Sequence, residues 1–368
     1  MFSRSILASA ISLTLMAHAH AAGTASSEQI GNDNLTEITQ MSSQNVSATT
    51  LQNGDSNESF VNQKGYDLTI QATQRGAGNL QDIQQDGWEA SAEVNQNGQS
   101  NVATVYQAPH DNAQLFVNID QNGHGNESSI RQIDANVSSA RTDQEGVDNI
   151  VDVEQRGQMS SISVVQEGDS NDVTASQTGA GASIYQAGNN NIVDLSQYTD
   201  SYANTNIDQQ GSFNDARVSQ WADGRWGGGN INLAQTGQNN SADISSGGSW
   251  ASFTFEQTGT GNDVSANSAG TTVSVNGHQT GTNNSAEIEQ SGALLSLDIA
   301  QNGSDNIIEA SQTGGAYYDY TTDSGVIDQT GTANFASLTQ VKGDGFTGGH
   351  SANIMQNGMN NSATVTQR

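Results

Sequence analysis

The stretch Gln96-Asn97-Gly98-Gln99-Ser100-Asn101-Val102-Ala103-Thr104-Val105-Tyr106-Gln107 decides the fold. It reduces to Gln-x-Gly-x-x-Asn-x-x-x-x-x-Gln, and that sentence occurs fifteen times in the 368 residues. The opening Gln is Gln29, Gln52, Gln74, Gln96, Gln121, Gln144, Gln166, Gln186, Gln209, Gln235, Gln257, Gln279, Gln301, Gln329 and Gln356. The glycine two places on is Gly31, Gly54, Gly76, Gly98, Gly123, Gly146, Gly168, Gly188, Gly211, Gly237, Gly259, Gly281, Gly303, Gly331 and Gly358. The asparagine five places on is Asn34, Asn57, Asn79, Asn101, Asn126, Asn149, Asn171, Asn191, Asn214, Asn240, Asn262, Asn284, Asn306, Asn334 and Asn361. A second glutamine closes thirteen copies: Gln40, Gln63, Gln85, Gln107, Gln132, Gln155, Gln177, Gln197, Gln220, Gln290, Gln312, Gln340 and Gln367. Ser246 and Ser268 stand in its place in the other two. Nine of the fourteen spacings are 22 or 23 residues, a period that signals a repeat architecture.

Within a copy the polarity alternates with period 2, the signature of a strand. Nine places after the opening Gln the residue is apolar in every copy, from Ile38 to Val365. One place earlier it is polar or charged everywhere except Phe60. Residues such as Ala72, Val94, Ile119 and Phe255 lie two places before the next opening Gln, so a second strand alternates as well. Asn, the apolar positions and the closing Gln therefore share one face. Gly after the opening Gln predicts a turn with positive φ, and the five Asn-Gly pairs, such as Asn53-Gly54, read as tight turns.

Each copy is thus expected to be strand–turn–strand–turn, and one such unit cannot bury its inner face alone. Stacking the units in parallel gives an all-β, two-sheet parallel β-solenoid of either hand, with about 15 rungs and amyloid-like stacking. The sheets would lie about 10 Å apart and the rungs about 4.8 Å apart. Inner Gln and Asn amides then form ladders between rungs. An amide without its copy would be a buried polar group lacking a partner, at a cost of about 1–3 kcal/mol. The longer spacings add residues after the second Gln, at 108–113, 221–229, 313–324 and 341–349. All four map to the same turn.

Composition sets the outer limits. Apolar residues make up 33% and the formal charge is −29, values that in a chain without period would indicate disorder. The acidic balance argues against nucleic acid and against anionic membranes. There is no Cys to form a disulfide, and the single Pro109 leaves nearly every residue able to donate to a sheet. Residues 1–21 read as a signal peptide, with Arg4, an apolar run over 6–16 and an Ala19-His20-Ala21 cleavage site. The domain organisation is then a 1–21 leader, a short 22–28 segment and one array over 29–368. No later segment is apolar enough for a membrane helix.

The repeated motif, seen most clearly in residues 96–107 and 279–290, resembles the curlin repeat of bacterial curli subunits. The number of copies is unusually large for that family. The resemblance implies secretion through an outer-membrane channel and assembly into extracellular functional amyloid of the biofilm matrix. It also implies partners: further copies of the chain, a curli-type secretion channel, a nucleator and accessory proteins. Its bearing is on adhesion and cell aggregation at the cell surface.

No nucleophile–base arrangement, phosphate loop or carboxylate pair stands out from the repeat, so no enzyme activity, cofactor or metal is expected. His110, His124, His278 and His350 are scattered, and Gly259–Asp263 echoes a calcium-binding nonapeptide only once. Glu37, Asp82, Asp152, Asp194, Asp243, Glu287 and Glu309 read as a solvated acidic face that limits lateral aggregation. Trp221, Trp226, Tyr317, Tyr318 and Tyr320 fall in the inserted segments, where loop self-packing is favoured over ligand contact. A fibre subunit is the leading reading, and a surface adhesin or nucleator whose loops bind a ligand is the alternative. An ice-binding solenoid would need a flat Thr-x-Thr array, and a polysaccharide-cleaving β-helix would need three sheets and a catalytic cluster.

Overall fold

The computed structural model describes residues 12–14, 23–109, 114–222, 227–314, 321–342 and 349–368. The expected leader falls almost wholly outside these. They form two compact units, Met1–Ser170 and Asn171–Arg368. Among the described residues each unit is built only of strands, and every pairing is parallel.

In the first unit the strands alternate between two ladders. One contains Leu35–Gln44, Glu58–Tyr66, Leu80–Trp88, Val102–Pro109, Glu127–Asn136 and Ile150–Gln158. The other contains Gly23–Ile30, Val46–Asp55, Thr69–Ala77, Ala90–Gln99, Leu115–His124, Ser138–Val147 and Ser161–Asp169. Each strand pairs with the strand two further along, one repeat away, so like meets like: Gln96 faces Gln121 and Gly98 faces Gly123. That is a two-sheet parallel β-solenoid in which one copy of the motif makes one rung.

The second unit repeats this plan with a difference at the second turn. Asp172–Asn189, Ile192–Ser212, Asp263–Thr282 and Ser285–Ser304 run through that turn as continuous strands. The turns number about 13 over the two units.

The core lies between the two ladders. Fourteen of the fifteen apolar residues nine places after the opening Gln are buried, from Ile38 to Leu338, and Val365 is half-buried. Seven places after that Gln a further column is buried. It holds Thr36, Ser59, Gln81 and Ser128 as well as Val151, Val173 and Ala216. Their shared parity with Asn and the second Gln places them inward, but their polarity hides them in a hydropathy reading. In the first unit Val46, Leu68, Ala90, Leu115 and Ala135 form a small apolar cluster.

Two local expectations are corrected. Asn-Gly is no hairpin turn here: Val46–Asp55 runs through Asn53 and Gly54, and the left-handed residue is Ser56, at φ 57°. A coil that must step to the next rung needs a corner, whereas a hairpin turn would fold the strand back on itself. The inserted segments are also shorter than their spacing suggests. Ala108 and Pro109 still pair with Ile133 and Ala135, and Asp323 pairs with Leu295.

A candidate assembly site in the stacking ladders

The corner after the opening Gln is built from backbone proximity. All fifteen motif glycines have positive φ, between 114° at Gly76 and 136° at Gly54. A Cβ on Gly98 would lie 1.9 Å from the carbonyl oxygen of Gly123, and the same holds from rung to rung. Glycine is thus required twice, for its dihedral and for the close approach of the next rung.

Asparagine ties that corner down. Asn57 donates its backbone N–H (3.0 Å) and its side-chain amide (3.1 Å) to Asn34 Oδ1. The same amide donates forward to the Gly76 carbonyl at 2.9 Å. The pattern runs from Asn34 to Asn149 in the first unit and from Asn171 to Asn361 in the second. Each Asn is a three-bond clamp between rungs, which accounts for its presence in every copy.

Glutamines stack in the opposite sense, each Nε2 donating to Oε1 of the next rung. The opening glutamines form one ladder from Gln29 to Gln166 at 2.7–3.0 Å. Another runs from Gln186 to Gln356 in the second unit. The second glutamines run from Gln40 to Gln155. In the second unit they form two pieces, Gln177–Gln197–Gln220 and Gln290–Gln312–Gln340–Gln367. Ser246 and Ser268 separate the pieces. These amides are buried except toward the outer rungs, where Gln29, Gln40 and Gln367 are half-buried.

Gln29 Oε1 is buried without a hydrogen-bond partner among the described residues. At the other extreme Gln356 Nε2 donates to the Phe335 carbonyl, with no further Gln beyond it among the described residues. The backbone edges match this. Among the described residues Gly23–Ile30 pairs only with Val46–Asp55, Ser351–Met359 only with Asp323–Thr332, and Ser362–Gln367 only with Phe335–Val341. Leu35–Gln44 carries on its outer side only Ser12–Thr14, part of the expected leader.

The remaining side chains of interest disperse. Glu37, Asp82 and Asp152 are exposed on the outer face of the first unit, and Asp194, Asp243, Glu287 and Glu309 on that of the second. Gly259–Asp263 is an ordinary first corner, with Gly261 at φ 67°. No group of three or more acidic or His side chains converges among the described residues. His124 and His278 are exposed, and His110 lies outside the described residues. His350 is not isolated, as its sequence position suggests. Its backbone N–H donates to buried Asp323 at 2.6 Å, and its Nδ1 lies 3.5 Å from the same carboxylate. Nearby, buried Lys342 donates to the carbonyl and hydroxyl of Thr321. The exposed Arg156 guanidinium donates to Glu154 at 2.6 Å, which holds its proton more tightly than usual.

Of the inserted aromatics, Trp226, Tyr317, Tyr318 and Tyr320 lie outside the described residues. Trp221 is half exposed, with its ring against the backbone of Gly247. An exposed pair that periodicity does not flag, Tyr66 and Trp88, meets edge to face at 5.4 Å on the second turn.

The geometry defines a parallel β-solenoid whose rungs are joined by Gln, Asn and Gly columns. The family model of the curlin associated repeat matches residues 31–65 and 279–314. The chain is thus a β-solenoid carrying curlin associated repeats. No curated protein matches the chain.

Proposed function

We propose that this chain is a structural subunit of extracellular, curli-like fibres that grow by adding rungs end to end. The observation that carries the reading is the complementarity of the two open edges. Gln29 Oε1 needs a donor, and Gln356 is the last donor of its column. A second copy placed with its Gln29 rung against the Gln356 rung continues the Gln and Asn columns in register. Such a contact joins two different surfaces, so it propagates into a filament. Open rows of backbone donors and acceptors are ready templates for another chain. Loss of the expected leader would also free the outer side of Leu35–Gln44, which Ser12–Thr14 covers.

The role is structural rather than catalytic. Curlin repeats support a place at the cell surface, in biofilm matrix and adhesion, with export and nucleation by accessory proteins. The acidic outer columns fit this role, since like charge keeps neighbouring solenoids apart laterally. The test is seeded growth. Mature protein should form thioflavin-positive, β-rich filaments that seed fresh monomer. Val365→Pro, in the outermost strand Ser362–Gln367, should arrest growth at one edge, because Pro removes a ladder donor and obstructs the approaching backbone. Normal polymerisation of the variant would refute growth through the solenoid edges.

A further inference from the structure

The second-Gln column of the second unit is broken over two rungs. Parallel register stacks Gln220, Ser246, Ser268 and Gln290 in that order. Ser246, Ser268 and Gln290 are each 1% exposed. Ser246 Oγ, Ser268 Oγ and Gln290 Oε1 have no hydrogen-bond partner among the described residues. Everywhere else in this column of the unit an Oε1 beyond the first receives the Nε2 of the preceding rung. Gln290 is deprived of that donor by Ser268.

The missing amides also deprive two backbone carbonyls of a side-chain donor. A second Gln normally donates to the carbonyl sixteen residues earlier: Gln290 to Ser274, Gln312 to Ser296 and Gln340 to Ser324. The same offset assigns Asn230 and Ser252 to the two Ser rungs. Gln220 does not compensate, because its Nε2 turns to the Gly229 carbonyl at 2.8 Å. Three orphaned side-chain atoms, and two strand carbonyls that lack only their side-chain donor, thus line one column, three rung intervals long, which at about 4.8 Å per rung is about 14 Å.

Serine carries a hydroxyl where glutamine carries a methylene and an amide, a net loss of three heavy atoms that leaves room for at least one water, whose share of liquid volume is ~30 Å³. A buried water needs two to four polar partners, and each Ser rung offers a hydroxyl, a carbonyl and a neighbouring acceptor. We propose that Ser246 and Ser268 form an internal binding site for ordered water, one molecule for each missing amide. The water beside Ser268 donates to Gln290 Oε1 and to the Ser252 carbonyl. The one beside Ser246 donates to the Asn230 carbonyl, and the two hydroxyls link them. The column then continues through solvent where it lacks side chains. The proposal is independent of whether the chain forms fibres.

The sign of a conservative substitution separates a wet slot from a dry one. In a wet slot Ser268→Ala and Ser246→Ala each remove a partner of a bound water, and the Tm of the full mature chain falls by a few degrees. In a dry slot the same changes delete an orphaned hydroxyl, and Tm rises. Ser265→Ala, on the exposed outer face of the same strand, should leave Tm unchanged. A second readout needs no variant. Magnetisation transfer from long-lived water should reach the backbone amides of Ser246 and Ser268 and the side-chain amide of Gln290, but not those of Gln312 and Gln340. A rise in Tm on Ala substitution, or no transfer at these rungs, would overturn the proposal.

Discussion

The two corners of each rung are made under different rules. The first, from the opening Gln to Asn, never changes length in fifteen copies, whereas all the inserted segments fall at the second. Distance explains part of the contrast, because second-corner glycines approach as closely only on some rungs, as at Gly65, where a Cβ would lie 1.7 Å from the Gly87 carbonyl, and at Gly248, 2.0 Å from that of Gly270. At the first corner a Cβ would meet the next glycine carbonyl at about 2 Å, and the Asn clamp bonds to both neighbouring rungs. Nothing larger fits, and nothing can be inserted without separating rungs. The second corner is held mainly by strand pairing. Register shifts lie there, between Met41 and Gln44, Ile133 and Ala135, and Thr178 and Ala180. Even its glutamine column tolerates two interruptions. Invariance in this chain therefore tracks close approach of consecutive rungs combined with the Asn clamp, more than how deeply a residue is buried.

The largest effect should come from closing the first corner to its neighbour. Gly98→Ala places a methyl where the Gly123 carbonyl lies, at a φ of 131° that alanine rarely adopts. The expected loss is about 4 kcal/mol or more, beyond the 1–3 kcal/mol of backbone strain alone. Denaturant melting of the mature protein would measure it, and a loss below about 1 kcal/mol would mean that the first corner is as permissive as the second. Next comes the clamp itself. Asn101→Ala removes the side-chain bonds to Asn79 Oδ1 and to the Gly123 carbonyl and takes the acceptor from Asn126, while the backbone N–H of residue 101 keeps its bond to Asn79. Leaving buried donors and acceptors unmet should cost about 3 kcal/mol by the same melting measurement. The smallest effect belongs to the second corner. Replacing residues 315–320 with Gly-Asn preserves Thr321, its bond from Lys342 and the strand starting at Asp323. Closure entropy changes slowly with loop length, so stability and assembly lag should shift by less than about 1 kcal/mol equivalent. A shortened chain that cannot assemble would show that the second corner is part of the growth surface.

Much of this was legible from letters alone, for a physical reason. Gly31 to Gly358, the Asn column and the Gln columns each face their own copies, so the constraint repeats and is visible as a period. What escaped the reading lacks that repetition. The left-handed corner residue is Asp33, Ser56, Gly78, Asn190 or Phe213 in different copies, since only its backbone matters. Thr36, Ser59 and Gln81 are inward but polar, and they share no bonding pattern: Thr36 meets Gln52, Gln81 meets the Thr73 and Val94 carbonyls, and Ser59 Oγ has no partner among the described residues. The contact of His350 with Asp323 joins residues on neighbouring rungs of one column, in copies of unequal length, and no spacing rule predicts it. The ladder break at Ser246 and Ser268 is visible as two exceptions, but its three orphaned atoms depend on which side chains the stacked rungs bring together.

Edge-to-edge growth can be tested by cross-linking, because the chain contains no cysteine. Glu28 immediately precedes Gln29 on the exposed side of its strand and pairs with Leu51 of the next rung. Met355, 73% exposed, immediately precedes Gln356 and pairs with Asp328 of the rung before. If one copy continues the columns of another, Met355 of the first sits directly against Glu28 of the second. Their Cα atoms would then be about one rung, ~4.8 Å, apart, within disulfide range. Fibres co-assembled from Glu28→Cys and Met355→Cys chains and then mildly oxidised should yield a mixed disulfide dimer. The Glu28→Cys, Met355→Cys double variant should yield a ladder of covalent multimers. Well-formed fibres that give neither product would contradict stacking through these edges.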